Sequence, residues 1–292
     1  MTNSESQGFV DISGFKIYYE SFGEPGEKGT VLVLHGGPGS THDYLLSLKD
    51  LTQFGYRVIF YDQLGCGRSD VPPEDSFFTV DNYVEEVEKV RQSLGLSSIH
   101  LLGQSWGGML ALAYALRYQS NLKSLIIASG LASVPLTVSE MQRLRSEFPK
   151  DIQDVLKKYE ANGDLKNPEY VRVLRLVYKK HLNRLEDWPE ELVYSMNHTG
   201  RPYYVMWGPD EFTCTGTLMN WDITNQLHKL KVPCLITVGR HDEVTPKVAE
   251  SMHKEIRGSK MVIFENSSHQ AMWEEREDYM RAVGDFLSEK KR

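Results

Sequence analysis

Cysteine is scarce in this chain: three in 292 residues, Cys66, Cys214 and Cys234, far apart and without a C-x-x-C spacing. That pattern points away from a disulfide framework and from a cysteine-bound metal, and a reducing, cytoplasmic compartment is the expectation. Long apolar runs are missing too, and the short ones are strand-sized, so no bilayer span is expected. Residues 1–8 are polar with a single charged side chain, Glu5. They offer neither a basic n-region nor an apolar core, and no secretory leader is expected. Basic clusters are absent apart from Lys290-Lys291-Arg292, read as a solvated helix end, and the formal net charge is −7. Nucleic acid is therefore not an expected partner. Without repeats or low-complexity tracts, what remains is an ordinary globular composition. The length suits one large domain, or a core carrying an insert.

The informative stretch is Gly103-Gln104-Ser105-Trp106-Gly107. The apolar run Ile99-His100-Leu101-Leu102 before it reads as a buried strand, and residues 108–118, rich in Ala, Leu and Met, read as a packed helix. A serine thus sits on a sharp strand-to-helix turn. Flanking glycines are needed there, because the neighbouring elements pack against the turn and the central residue takes strained backbone angles. The following helix aims its N-terminal N–H groups at the serine. This resembles the G-x-S-x-G nucleophile elbow of α/β-hydrolases.

The rest of the chain has matching grammar. Residues 9–22, broken by Gly14, read as an antiparallel hairpin. Val31-Leu32-Val33-Leu34 is a strand of the kind buried on both faces of a parallel sheet. It runs into His35-Gly36-Gly37-Pro38-Gly39. A dinucleotide loop is a rival reading, but the spacing is not G-x-G-x-x-G and Pro38 interrupts it. The reading that fits Ser105 is an oxyanion loop, with the Gly37 and Trp106 N–H groups as the donor pair. Residues 44–54, with Leu45, Leu48 and Leu51 spaced by three, predict the first helix. Arg57-Val58-Ile59-Phe60-Tyr61 is the next strand, and Asp62 and Arg68 in the loop after it read as loop architecture rather than catalysis. Residues 79–94 predict a helix capped by Thr79, and residues 122–128 a further strand. The alternation predicts an α/β fold, a mostly parallel sheet with helices on both faces.

From residue 133 to 222 continuous apolar strands stop. Residues 137–148, 149–161, 167–182 and 189–197 read as amphipathic helices opening on Thr, Pro or Asn. Such a stretch is too long for a loop. It predicts an inserted helical cap at 133–222 on a hydrolase core of 1–132 and 223–292. Residues 201–221 are rich in aromatics and turn residues. Strand grammar resumes at 233–239, followed by a helix from Thr245-Pro246 to about residue 256, a strand over 260–264, and a last helix over 274–290.

A serine hydroxyl needs a base, and the base needs an orienter. In the α/β-hydrolase order Ser, acid, His, Asp242 follows one strand and His269 the next. Glu243 competes with Asp242 for the acid role, and the shorter residue is preferred. His35 reads as structural, His253 lies in a helix, and His181 and His198 lie in the insert.

Together these segments resemble the prolyl aminopeptidase (proline iminopeptidase) family of serine hydrolases: His35 to Gly39, Tyr61 to Ser69, Gly103 to Gly108, Gly239-x-x-Asp242 and Ser268-His269. The likeness runs through nearly the whole chain. The insert segment Gly208-Pro209-Asp210-Glu211-Phe212-Thr213 is similar to the tricorn-interacting aminopeptidase branch. The resemblance implies metal-free, cofactor-free removal of single N-terminal residues from short peptides. It also implies that Glu211 and Glu243 hold the substrate's α-ammonium group, whereas without it each reads as an ordinary turn or helix-start residue. Gln104 and Trp106 vary within the family and bear on specificity. Alternative readings are an amino-acid amidase or small-ester hydrolase with the same triad, and a non-catalytic receptor or partner of a larger protease.

Overall fold

The computed structural model describes residues 6–289, and residues 1–5 and the basic run at 290–292 lie outside the described residues. Eight strands form one sheet: β1 (Ser6–Ile12), β2 (Phe15–Phe22), β3 (Thr30–Leu34), β4 (Arg57–Tyr61), β5 (Ile99–Gln104), β6 (Leu122–Ala128), β7 (Cys234–Gly239) and β8 (Lys260–Phe264). Their order is β1-β2-β4-β3-β5-β6-β7-β8. The hairpin β1–β2 pairs antiparallel, as does β2 with β4, and every later pairing is parallel.

β3 shows how the pattern builds the layers. All five of its residues are buried. Val31 and Val33 join one core cluster while Leu32 and Leu34 join the other. Successive strand side chains point to opposite faces, so an unbroken apolar run requires cover on both sides. On the leucine side lie α1 (Val80–Ser93) and α2 (Trp106–Tyr118). Thr79 caps α1, its hydroxyl accepting the Asn82 N–H at 3.3 Å.

The valine face is covered by residues His42–Phe54, and the helix expected over 44–54 is there as a 3₁₀ helix. The spacing of Leu45, Leu48 and Leu51 is itself the reason, since three residues per turn stack positions i and i+3 on one face.

Between β6 and β7 the chain makes α3 (Val134–Ser146), α4 (Lys150–Asn162), α5 (Pro168–His181), α6 (Glu190–Asn197) and α7 (Arg201–Met206), and adds no strand to the sheet. α3 starts a turn before the expected residue 137, because Ser133 caps it and Pro135 sits in its first turn. α7 falls where the sequence suggested only aromatics and turns. Pro202 opens it, and Tyr203 and Met206 bury its inner side. The two ends of this segment meet. Ser133 and Asp222 form an antiparallel bridge, the Ser133 hydroxyl donates to Asp222 Oδ2 at 2.6 Å, and the Ile223 N–H donates to the Ala132 carbonyl at 2.9 Å. Beyond β7 come α8 (Pro246–Glu255), α9 (Ala271–Glu274) and α10 (Arg276–Ser288). α8 packs on the leucine side and α10 on the valine side. Among the described residues no helix is long and apolar enough to cross a membrane.

The β5–α2 turn is the tightest point of the fold. A Cβ on Gly107 would run into the Leu34 carbonyl, and one on Gly103 into the Gly107 carbonyl. Gly107→Ala is expected to destabilise by about 3 kcal/mol or more, the upper range for overpacking a core, read as a lower melting temperature. An unchanged melt would show that the turn can open.

One buried charge on α1 has no counter-charge. Glu86 Oε2 accepts the Leu64 N–H at 3.1 Å, and Oε1 has no partner among the described residues. Burial pushes this carboxyl up to about 8. Folding therefore takes up a proton between the ordinary carboxylate range and about pH 8, and stability falls as pH rises through that window. Glu86→Gln is expected to raise stability at pH 8 by about 1–3 kcal/mol, the scale of an unsatisfied buried group. Calorimetry at pH 5 and pH 8 checks this: the gain must shrink toward pH 5, and a pH-independent gain refutes the assignment.

Candidate active site

Ser105 sits on the turn in a conformation side chains rarely adopt, φ 56 and ψ −122. Its backbone is held on both sides. The N–H donates to the Ala128 carbonyl at 2.9 Å, and the carbonyl accepts the N–H groups of Gly108 at 2.8 Å and Met109 at 3.2 Å. These bonds hold the residue in a backbone conformation that would otherwise relax. The loops that follow β3, β5, β7 and β8 all leave the same edge of the parallel sheet, and they carry Gly37, Ser105, Asp242 and His269 to one place. Gly37, Ser105 and His269 line one cavity together with Glu211. Gly37, Ser105 and Trp106 line a smaller recess beside it, which also takes in Glu211 and Glu243.

His269 Nδ1–H donates to Asp242 Oδ1 at 2.7 Å. The same oxygen accepts the Val244 N–H at 2.8 Å, which fixes the carboxylate. On the other side of the ring, Nε2 lies 3.8 Å from Glu243 Oε1. His269, Asp242 and Glu243 are all buried. Burial works against the imidazolium, but Asp242 and Glu243 outweigh it and raise His269 to about 9. Glu243 Oε2 and Asp242 Oδ2 have no hydrogen-bond partner among the described residues. Burial, opposed by His269, pushes the carboxyls of Glu211 and Glu243 up, and for Glu243 the charge of Glu211 adds to the rise. The buried carboxyl of Glu243, with its unpartnered oxygen, and the half-buried one of Glu211 make a cation-seeking corner.

Several residues that hold this arrangement carry no sequence motif. The main-chain carbonyl of His181, at the end of α5, accepts both the Glu243 N–H at 3.3 Å and the His269 N–H at 3.2 Å. His181 Nδ1–H donates to the His241 carbonyl at 2.7 Å. Glu274 holds the His269 loop from the other side, accepting from Ser268 N–H and Oγ–H at 2.8 Å each. It also takes the Arg184 N–H at 2.7 Å. Gln104 is a strut as well as an elbow residue. Its Nε2 donates to the His269 carbonyl at 3.2 Å, its Oε1 accepts from the Tyr44 hydroxyl, and that hydroxyl accepts the Gly36 N–H at 2.7 Å. Buried polar groups in loops are the only signal that points to these residues, and it becomes specific only once the loops are placed.

His35 is structural. Its Nδ1–H donates to the Gly36 carbonyl at 2.9 Å and its Nε2 accepts the Gln63 N–H at 2.9 Å, so the ring is neutral, and burial lowers it to about 4. Gln63 passes the support on, its Oε1 accepting from Trp106 Nε1–H at 2.8 Å. Asp62 accepts the backbone N–H groups of His42 and Arg68, which is loop architecture. His42, Asp43 and Asp62 bring possible metal-ligand atoms within 4.8 Å of one another. Their charge is already answered: His42 Nδ1–H donates to Asp62 at 2.7 Å, and Arg68 forks onto Asp43 at 2.8 and 3.1 Å.

The family described as alpha/beta hydrolase fold matches residues 29–276. The chain is 49% identical to the proline iminopeptidase of Saccharolobus solfataricus over 286 residues, 97% of this chain and 92% of that protein. It is 48% identical to the proline iminopeptidase of Thermoplasma volcanium, covering 96% of both. The crystal structure of the proline iminopeptidase of Mycobacterium smegmatis superposes with a TM-score of 0.91 at 32% identity, over 97% of both chains. With an elbow serine, a histidine–aspartate pair on adjacent strand ends, and full-length relatives of this kind, the chain belongs to the proline iminopeptidase family of α/β hydrolases.

Proposed function

We propose that the protein removes a single N-terminal residue, proline foremost, from short peptides through an acyl-enzyme on Ser105. The observation that carries this is the pair Glu211 and Glu243 lining one recess beside Ser105, with Glu243 Oε2 buried and without a hydrogen-bond partner among the described residues, where a substrate's free amine would lie. In this reading residues 133–222 are a cap over a core formed by 1–132 and 223–292, and the cap keeps folded chains out.

Ser105 Oγ attacks the carbonyl carbon of the first residue while His269 Nε2 takes its proton, and Asp242 holds the imidazolium in orientation. The oxyanion is received by the N–H groups of Gly37 and Trp106. His269 then protonates the departing amine, the peptide bond breaks, and water repeats the sequence to free the amino acid. The recess supplies an apolar wall of Met109, Leu131, Met141, Trp207 and Val244. A prolyl ammonium has two N–H donors, which two carboxylates satisfy completely, and its ring is compact and apolar. That chemistry favours proline over a primary amine, whose third N–H is left over.

His269 is held protonated in the empty site, and a base must be neutral. An ammonium between Glu211 and Glu243 offsets the part of the field that these two carboxyls add to that of Asp242. Binding therefore lowers its pKa and readies it for the reaction.

Glu211→Gln and Glu243→Gln are each expected to lower kcat/KM on proline 4-nitroanilide by about 10- to 150-fold, the scale of a charged hydrogen bond. Hydrolysis of 4-nitrophenyl acetate, which has no amine, should change far less, and Ser105→Ala should abolish both activities. Equal cleavage of N-acetylproline 4-nitroanilide would remove the amine-binding role and leave a general esterase or amidase.

The pH profile gives a second check. Removing the charge of Glu243 makes the imidazolium less favourable, so His269 deprotonates earlier. The acidic limb of acetate-ester hydrolysis is expected to move to lower pH in Glu243→Gln than in the parent. A limb that stays in place, or moves up, contradicts the assignment of His269 as the base beside Glu243.

A further inference from the structure

α5 and α6 leave an open groove of about 520 Å³ between them, on the outside of the helical segment. Val171, Leu174, Arg175 and Tyr178 fall on one side of α5 by helical spacing, and Val193 and Met196 face them from α6. Val171, Val193 and Met196 are 37%, 42% and 38% exposed, high for apolar side chains. The groove is not isolated: Tyr178 and Met196 line both it and the cavity holding Ser105 and His269. Arg175 stands exposed at its side and makes no ion pair among the described residues.

The two ends of the catalytic cavity differ. On one side of Ser105 lies the recess with Glu211 and Glu243, which the proposed function fills with the first residue. Away from that recess the cavity is lined by Leu182, Leu192 and Met196, and through Met196 and Tyr178 it shares lining residues with the groove, which is the nearest apolar surface for the remainder of a peptide. The groove is also lined by Lys179, whose Nζ donates to the Glu186 main-chain carbonyl at 2.8 Å, and by Glu186 itself; two cations against one carboxylate beside an apolar strip match a short peptide whose later residues are apolar and whose chain ends in a carboxylate.

We propose that the groove between α5 and α6 binds the part of a peptide substrate that follows the cleaved bond, selecting apolar residues and a free terminal carboxylate set against Arg175. This rests on the aminopeptidase reading and extends it from the first residue to the rest of the substrate.

The test measures free proline released by the full-length protein from Pro-Gly-Gly-Gly, Pro-Gly-Leu-Leu and the C-terminal amide of Pro-Gly-Leu-Leu. Parent, Val171→Asp, Val193→Asp, Arg175→Glu and Arg175→Lys are compared, with thermal melts as the check on folding. The reading is the ratio of kcat/KM between peptides within each variant, so any change common to all substrates cancels. The parent is expected to favour the leucine peptide over the glycine peptide by about 10-fold through KM. Each Val→Asp change should bring that ratio close to one. Arg175→Glu should erase the advantage of the free acid over the amide, and Arg175→Lys should keep it. A parent that treats the glycine and leucine peptides alike overturns the proposal, as does retention of the preference in both Val→Asp variants. Conversion of a dimer to a monomer by Val193→Asp in sedimentation, with the preference intact, would make the groove a self-association face and likewise overturn it. Failure of the parent to cleave proline 4-nitroanilide overturns the aminopeptidase reading itself, and the groove assignment falls with it.

Discussion

One buried imidazole faces more negative charge than it can neutralise. His269 is bonded to Asp242, lies close to Glu243, and feels Glu211 across the cavity. A protein interior does not leave such an excess standing: it takes up protons or admits a cation. The carboxyls of Glu211 and Glu243 are accordingly raised. In the proposed function, base and amine-binding corner therefore form one electrostatic unit, in which the bound amine acts on the state of the base.

Holding that unit together is a matter of backbone. The His181 carbonyl accepts the N–H of Glu243 and the N–H of His269 at once, so a single peptide group at the end of α5 registers two loops that leave different strands. Glu274 grips the His269 loop and the chain just beyond α5 together. The helices between β6 and β7 are thus part of the site's frame. Their contact at the opposite edge, where the Gly200 N–H donates to the Gly39 carbonyl at 2.7 Å, reaches the loop that carries Gly37.

The sheet and the elbow were legible in the sequence because their signals are local. Continuous apolar runs give buried parallel strands, and Gly103 and Gly107 mark a turn where backbone packs on backbone. Asp242 and His269 were found by their places after β7 and β8, and the contact between them is as that order implies. The 3₁₀ character of His42–Phe54 was missed because a spacing of three was read as helical in general, although it is the 3₁₀ period itself. α7 was hidden because half of its six residues are tyrosine or proline, and tertiary contact supplies what propensity does not. Gln104, His181 and Glu274 were beyond reach for a different reason. Their partners lie far along the chain, and a carbonyl's acceptor role belongs to no side-chain type.

The meeting of Ser133 with Asp222 has an architectural meaning. Because the two ends of the helical segment bond to each other, the sheet experiences the segment as a turn of ordinary width, whatever its length. β6 and β7 pair directly beneath it, Leu125 beside Cys234 and Ala128 beside Thr237. A change of length above that neck need not alter the spacing between the two strands below it. The neck thereby lets the sheet keep its register independently of the helices above it, while the His181 carbonyl ties those helices to the loops of Glu243 and His269.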